Sequence, residues 1–440
     1  MSSVKKAIKI GFYGMTHLGL VSAIAAASKG YQVICFDEDH GLIAQLQKQH
    51  YPIEEPNFPE LTQKHADRLQ WTDQLKILLT AELIYISIDV PTNGENQSDL
   101  TSIEDAIESL KNLLHPEQLV VILSQVPPGF TRSRCFSVNP LFYQVETLVF
   151  GSAVERATQP ERLIVGCADP AKNLPKIYHE FLQAFHCPIF SMRYESAELA
   201  KIAINMYLVA SVMTSNLLSD LAASLGADWE EVIPTLRQDK RIGPYAYLNP
   251  GLGISGGNLE RDMVTILQQA DKHRVYAELI KTWLTDNGYY RNWVWRCLQQ
   301  NVLTKIHAPS VVILGLAYKA NTHSIKNSPA IQLINQLKEN TQARLWAHDP
   351  WVKETIPGVE RCDNVFSALQ LAEVLVIMTP WPRYAELSVD DFLSHMPGRV
   401  IIDPYRLLNH GKLISAGFSI DTLGVGYKNL AISAKELFYA

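Results

Sequence analysis

The stretch from Ala7 to Asp37 restricts the possible fold more than any other part of this chain. Ala7–Tyr13 is a short, mostly apolar run that reads as a strand. It leads into the turn Gly14-Met15-Thr16-His17-Leu18-Gly19, an Ala-rich helical run Leu20–Ser28, and a second strand Gln32–Phe36 that ends on Asp37. Strand, tight turn, helix, strand and acid, with the acid 23 residues after the first glycine, is the pattern of a Rossmann unit. In such a unit the backbone N–H groups of the turn and the helix N-terminus face a pyrophosphate. The acid takes the ribose hydroxyls, which favours NAD over NADP. The candidate cofactor residues are therefore Gly14, Thr16, His17, Leu18, Gly19 and Asp37. Thr16 stands where the fingerprint has its second glycine. Its Cβ crowds the approach of a pyrophosphate, although its hydroxyl is able to donate to a phosphate oxygen. His17 reads as a surface or phosphate-edge side chain rather than a general base.

Alternation of strands and helices continues. Ala81–Asp89 is a buried-type strand, Ile103–Leu113 a helix, and Leu119–Leu123 and Leu163–Gly166 further strands. This order gives a parallel sheet with ligands at the C-terminal ends of its strands, where the loops Val90–Gly94 and Ser124–Gly129 fall. The last third repeats the alternation: strand Val311–Leu314, helix Ala330–Lys338, and strands Arg344–Ala347, Val374–Met378 and Val400–Ile402. At 440 residues the chain is too long for one core, and two or three domains are expected. The expected fold class is α/β, with two Rossmann-like doubly wound sheets joined by a long central helix.

That helix is Ser196–Leu225, rich in Ala, Leu, Ile and Met and free of Pro and Gly. Glu198, Lys201 and Asn205 share one face, and the apolar residues around them suggest burial. A buried Lys and Asn need partners, and a bound substrate is able to supply them. Further on, Gly251-Leu252-Gly253-Ile254-Ser255-Gly256-Gly257-Asn258-Leu259-Glu260-Arg261-Asp262 reads as a flexible, backbone-rich loop, with a helix starting near Asp262.

Composition excludes several classes. With 47% hydrophobic and 19% charged residues and a net charge of −6, the chain is globular and lacks the basic excess of a nucleic-acid binder. No apolar run is long enough to span a bilayer, and Met1–Gly11 lacks the core and cleavage site of a secretory signal. Six scattered cysteines and 13 histidines show no metal-ligand pattern, so no metal and a reduced, cytoplasmic setting are expected.

Several residue groups resemble the UDP-glucose 6-dehydrogenase family, within the UDP-glucose/GDP-mannose dehydrogenases. They are Gly14–Gly19 with Asp37, Ile53-Glu54-Glu55-Pro56, Ser124 with Val126-Pro127, and Gly151-Ser152-Ala153 leading to Pro160-Glu161-Arg162. Ala197–Lys201 with Asn205, Asp239–Gly243, the glycine-rich loop, Gly315–Thr322, Ser328-Pro329-Ala330 and His348-Asp349-Pro350 complete the set. The resemblance covers essentially the whole chain. It implies an NAD-binding domain (1–194), a central helical dimerisation region with the catalytic loop (195–305), and a UDP-binding Rossmann-like domain (306–440).

The resemblance also implies chemistry: a sugar C6 alcohol oxidised to a carboxylate with two NAD, through a thiohemiacetal and thioester on a loop cysteine. By position, Asp262 handles protons, Lys201 and Asn205 stabilise developing negative charge, and Glu146 matches the glutamate of thioester hydrolysis. Lys319 and Arg406 match contacts to the UDP-sugar, and Arg241 matches an arginine that reaches substrate across a subunit interface. Tyr247, Leu248 and Gly253 are assigned to substrate binding in the same way. Asn258 stands where that family has its nucleophilic cysteine, and an amide is not a nucleophile. Val90 and Gln125 replace threonines on the two cofactor-edge loops, Phe150 replaces a glutamate, Arg261 a lysine and Lys326 an arginine.

The expected function is an NAD-dependent dehydrogenase of a UDP-hexose such as UDP-glucose, in polysaccharide and nucleotide-sugar metabolism. It would act as a homodimer without nucleic-acid or membrane partners, and four-electron oxidation through a thioester is doubtful. The alternatives are a non-catalytic nucleotide-sugar-binding or assembly protein that keeps the fold, and oxidation of another sugar or another carbon.

Overall fold

The computed structural model describes residues 8–134, 136 and 139–426. The start of the first expected strand at Ala7, and Cys135, lie outside them. The chain divides into two compact units, Met1–Ile204 and Asn205–Ala440.

In the first unit eight strands form one sheet: β1 (Lys9–Tyr13), β2 (Gln32–Phe36), β3 (Leu69–Thr72), β4 (Leu83–Ile86), β5 (Leu119–Ile122), β6 (Leu141–Gln144), β7 (Leu163–Cys167) and β8 (Ile189–Arg193). Their spatial order is β3-β2-β1-β4-β5-β6-β7-β8. All neighbouring pairs are parallel except β6 with β7. The strand order reverses between β1 and β4, which places a ligand crevice at the C-terminal ends of those strands. β4 and β5 are buried at every position, as expected of strands covered on both faces.

The register brings the fingerprint together. Tyr13 is level with Phe36, so Gly14 and Asp37 leave the sheet side by side. Gly14 has φ +97°, and a Cβ there would sit 2.4 Å from Ile88 Cγ1. A Cβ on Gly19 would sit 1.7 Å from the Gly14 carbonyl oxygen. Both glycines are thus required by the backbone itself. The helix His17–Ser28 then lies flat on the sheet, with Ala23, Ala25, Ala26 and Ala27 buried beneath it.

The second unit holds β9 (Ser310–Leu314), β10 (Arg344–His348), β11 (Glu360–Arg361), β12 (Val374–Ile377), β13 (Val400–Ile402) and β14 (Ser419–Asp421). They form a parallel sheet in the order β11-β10-β9-β12-β13-β14. This repeats the layout of the first six strands of the other sheet. Leu314 is level with His348, so Gly315 and Asp349 emerge together as Gly14 and Asp37 do. Gly315 has φ +94°, with its Cβ position 2.4 Å from Thr379 Cβ.

The long helix runs Tyr194–Leu225. Contrary to the sequence reading, it is long and apolar enough to cross a membrane by length and composition alone. Within the first unit its N-terminal turns are docked by polar contacts. Tyr194 donates its hydroxyl to the Leu141 carbonyl at 2.6 Å, and buried Glu198 accepts the backbone N–H groups of Gly129 and Thr131 at 2.6 and 2.8 Å. A buried acid satisfied by backbone donors is what a protein interior requires of that group.

Candidate functional site

In the first unit, the turn after β1 is tied to the loop after β4. Ser87 Oγ donates to the carbonyls of Tyr13 and Gly14, both at 3.1 Å. Thr16 Oγ1 donates to the Ser87 carbonyl at 3.2 Å and accepts the Asp89 N–H at 3.0 Å. The Thr16 hydroxyl is therefore engaged within the protein rather than held out for a phosphate. Leu18, in the first turn of the helix, donates its N–H to Asp89 Oδ2 at 3.3 Å.

Asp37 accepts the Met15 N–H at 2.7 Å and the Asp39 N–H at 3.0 Å, and remains half-buried. His17 Nε2 is 2.9 Å from Glu55 Oε1, and its ring lies 4.3 Å from that of Phe150. Glu55 also accepts the N–H groups of Gly151 and Ala153. Burial alone would raise the Glu55 carboxyl, but His17 and these amides together hold it below the usual carboxylate range. Val90 packs beside the core of one sheet face. Gln125 is half-buried next to Ser124, whose hydroxyl donates to the Ile88 carbonyl at 2.6 Å. These residues meet at the C-terminal edge of the sheet and fit a dinucleotide: a glycine turn, a helix N-terminus and an acid at the end of β2.

Glu146 and Lys201 are brought together in this unit. They form an ion pair, and Lys201 Nζ also donates to the Glu146 carbonyl at 3.1 Å. The carboxylate accepts the Leu148 N–H at 2.9 Å. Lys201 and Glu146 are 10% and 14% exposed, so the pair is shielded from the screening that weakens surface ion pairs.

In the second unit, the helix that follows the glycine-rich loop begins four residues earlier than expected. It runs Asn258–His273, with Gly257 as its N-cap. Asn258 is thus the first helical residue, exposed, and one turn before Asp262 on the same face. Asp262 is fully buried, accepts from Asn205 Nδ2 at 2.5 Å and pairs with Arg261 Nε at 3.2 Å.

The loop is anchored rather than loose. Gly251 donates its N–H to Asn216 Oδ1 at 2.8 Å. Asn287 takes the Ile254 N–H at 2.5 Å and returns a bond to the Ile254 carbonyl at 3.1 Å. Gly253, at φ +70°, makes room for this, since a Cβ there would meet Asn287 Oδ1 at 2.4 Å. Asn287 Nδ2, Arg291 Nη1 and Asn327 Nδ2 all donate to buried Glu260. Sequence reasoning missed this network. Its signal is the spacing of Asn287 and Arg291 four apart on Glu278–Arg291, which puts both on one helix face. Replacing Asn287 with Ala strands the buried Ile254 amide and carbonyl. We expect a loss of about 3 kcal/mol, read as a lower urea midpoint for the transition that carries residues 205–440.

Tyr318 stacks on this loop: its ring is 3.0 Å from the Cβ position of Gly256, and its carbonyl accepts Ser255 Oγ at 3.2 Å. The Lys326 amine lies 3.3 Å from the Cβ position of Gly257, beside the N-terminus of the Asn258 helix. Lys319 Nζ is 5.8 Å from the Tyr318 ring centre. Arg406 pairs with Asp228 at 2.7 Å and with Glu230 at 3.1 Å. Arg241 is largely exposed and paired with Asp239 at 2.6 Å. The carbonyls of Tyr247 and Leu248 accept from Ser215 Oγ at 3.0 Å and Trp229 Nε1 at 2.8 Å.

The two sheets differ at their matching acids. Buried Asp349 accepts the N–H groups of Leu316, Ala317, Trp351 and Val352 and the Trp381 indole. Its carboxylate is saturated by the protein and has no face left for a ribose, whereas Asp37 keeps one. The second sheet also lacks a helix at its glycine turn; a loop runs from Gly315 to the helix Pro329–Asn340 and carries Tyr318, Lys319 and Lys326.

Burial pushes the Cys35, Cys167 and Cys362 thiols up, and partial burial does the same to Cys187, away from the reactive thiolate.

Comparison with known proteins agrees with this geometry. Three models of the UDP-glucose/GDP-mannose dehydrogenase family match in turn: the NAD binding domain at residues 8–182, the central domain at 195–289 and the UDP binding domain at 312–410. The chain is 27% identical to the UDP-glucose 6-dehydrogenase of Rickettsia conorii, over 95% of this chain and 99% of that one. It is 28% identical to UDP-glucose 6-dehydrogenase TuaD of Bacillus subtilis, over 94% and 93%. Among solved structures, a UDP-glucose dehydrogenase from Pyrobaculum islandicum has the same fold, with a TM-score of 0.82, 24% identity, and coverage of 93% of this chain and 98% of that one. These relatives are dehydrogenases, so the alternative of a non-catalytic binding protein is not favoured. This chain belongs to the UDP-glucose/GDP-mannose dehydrogenase family.

Proposed function

We propose that this protein is an NAD-dependent dehydrogenase that oxidises a CH–OH carbon of a UDP-hexose, UDP-glucose or a close analogue, by one hydride transfer and without a thioester. The observation that carries this reading is Asn258, the first residue of its helix, at the position where the resemblance puts the nucleophile. NAD, when bound, supplies the hydride acceptor. The turn Gly14–Gly19 holds its pyrophosphate and Asp37 its ribose, with Val90 and Gln125 on the flanking loops. As the alcohol carbon gives up hydride, its hydroxyl proton leaves to Asp262, whose charge is balanced by Arg261. Lys201 and Asn205 are donors for the negative charge that develops on oxygen. Lys319 and Arg406 contact the UDP-sugar, with Tyr247, Leu248 and Gly253 as backbone contacts and Arg241 reaching a second subunit's substrate.

The three-part division at 1–194, 195–305 and 306–440 belongs to this reading, as do a cytoplasmic location and a homodimer through the central helix. Supporting the dimer, Tyr207, Leu217, Leu221 and Leu225 on that helix are 80%, 60%, 49% and 73% exposed. The test is incubation with NAD and a panel of UDP-hexoses, with product masses and NADH counted per sugar. One NADH and a carbonyl product are expected, and a rapid two-per-sugar burst overturns the reading.

A further inference from the structure

At a dinucleotide turn the first N–H groups of the helix have no partner in the helix, and an anion completes them. Here the chain supplies its own anion. Leu18, in the first turn of His17–Ser28, donates to Asp89 Oδ2 at 3.3 Å. The arrangement is fixed from the other side, because Thr16 Oγ1 accepts the Asp89 backbone N–H at 3.0 Å and donates to the Ser87 carbonyl. The residue at the second-glycine position of the fingerprint therefore clamps the loop that carries the carboxylate. Nearby charges are His17, paired with Glu55, on the helix, and Glu146 after β6.

We propose that Asp89 sets cofactor affinity: its carboxylate occupies the anion position at the start of the His17–Ser28 helix, and a dinucleotide's pyrophosphate binds only after displacing it. The proposal rests on the NAD reading above. It predicts that phosphate-bearing ligands bind against a built-in competitor, whereas a nucleoside without phosphates does not. Asp89 is not a catalytic residue; it acts through the turn that holds the cofactor.

The test is calorimetric titration of NAD, inorganic pyrophosphate and adenosine into the full-length protein and into Asp89→Asn and Asp89→Gly. Asp89→Asn keeps the side chain's size and removes its charge. The expected result is NAD and pyrophosphate binding tightened at least tenfold in both variants, with adenosine unchanged within twofold. If the unmodified protein binds NAD and neither variant changes that affinity by more than twofold, the proposal is overturned and the NAD reading stands. If adenosine tightens in step with NAD, the effect is a general loosening of the site and the proposal fails. If neither the unmodified protein nor either folded variant binds NAD, both the proposal and the NAD reading fall.

Discussion

Asn258→Cys is expected to convert the reaction from one NADH per sugar to two, with carboxylate as product. The substitution places a thiol at the first position of a helix of 16 residues. There the unsatisfied N–H groups and the helix dipole favour a thiolate. The Lys326 amine lies beside the preceding residue, and a cation there works in the same direction. A thiolate adds to the aldehyde carbon, the adduct gives up the second hydride, and water releases the acid from the thioester. Acid formation should rise by roughly 10²-fold, equivalent to about 2.7 kcal/mol off the barrier. Asn258→Ser, with a hydroxyl of far weaker nucleophilicity, should leave the stoichiometry at one. Alkylation of the new cysteine by iodoacetamide at neutral pH checks that the thiol is accessible. A cysteine that alkylates readily yet still yields one NADH per sugar would show that this helix start does not face the reacting carbon.

Removing the Lys201 amine should have the largest effect among losses. Lys201→Met keeps an unbranched apolar stem one atom shorter and deletes the charge, removing the Lys201 ammonium from the largely buried Glu146 carboxylate. Two costs follow, and they separate. The rate cost is a lost donor to developing negative charge, about 10²–10³-fold in kcat. The stability cost is the loss of the ion pair between Glu146 and Lys201, about 3 kcal/mol. In the double variant Lys201→Met/Glu146→Gln the Glu146 charge is gone as well, so stability should recover while the rate does not. Steady-state kinetics and urea unfolding of the three proteins decide this. A rate that recovers together with stability would make Lys201 a structural residue only.

Much of the fold was legible because strongly patterned segments decide it. The strands Gln32–Phe36 and Val400–Ile402 fall where the apolar runs put them, and the long helix differs from the expected start by two residues. The strands Leu69–Thr72, Leu141–Gln144, Ile189–Arg193 and Ser419–Asp421 were not anticipated. They are short, and the first, third and fourth have mixed polar and exposed positions. Such segments become strands because a neighbouring strand offers hydrogen bonds, which a local pattern does not record. The start of the Asn258 helix was obscured for a similar reason. Ser255-Gly256-Gly257 reads as loop, and the N-cap is a glycine with no side-chain capping bond to announce it.

Of the candidate site, the sequence proposes residues but not the partners they find in the folded chain. Lys201 finds Glu146 from 55 residues away, and Asn205 finds Asp262 from 57. Spacing on one helix suggested that Lys201 and Asn205 needed partners; only the folded chain supplies them. The Thr16 hydroxyl shows the converse. Its chemistry suits a phosphate, but the protein uses it to fasten the loop after β4. Asp89 passed unnoticed because an acid at the end of an apolar run is commonplace until an amide is found pointing at it.

In the proposed reaction oxidation proceeds without a covalent bond between sugar and protein. Intact-protein mass spectrometry on material quenched during steady turnover with NAD and its UDP-sugar, with NADH counted in the same samples, tests this. The expected result is the unmodified polypeptide mass and one NADH per sugar consumed. A mass increase equal to the acyl-sugar nucleotide, on Asn258 or anywhere else on the chain, would show that the sugar passes through a covalent intermediate and that the proposed reaction is wrong.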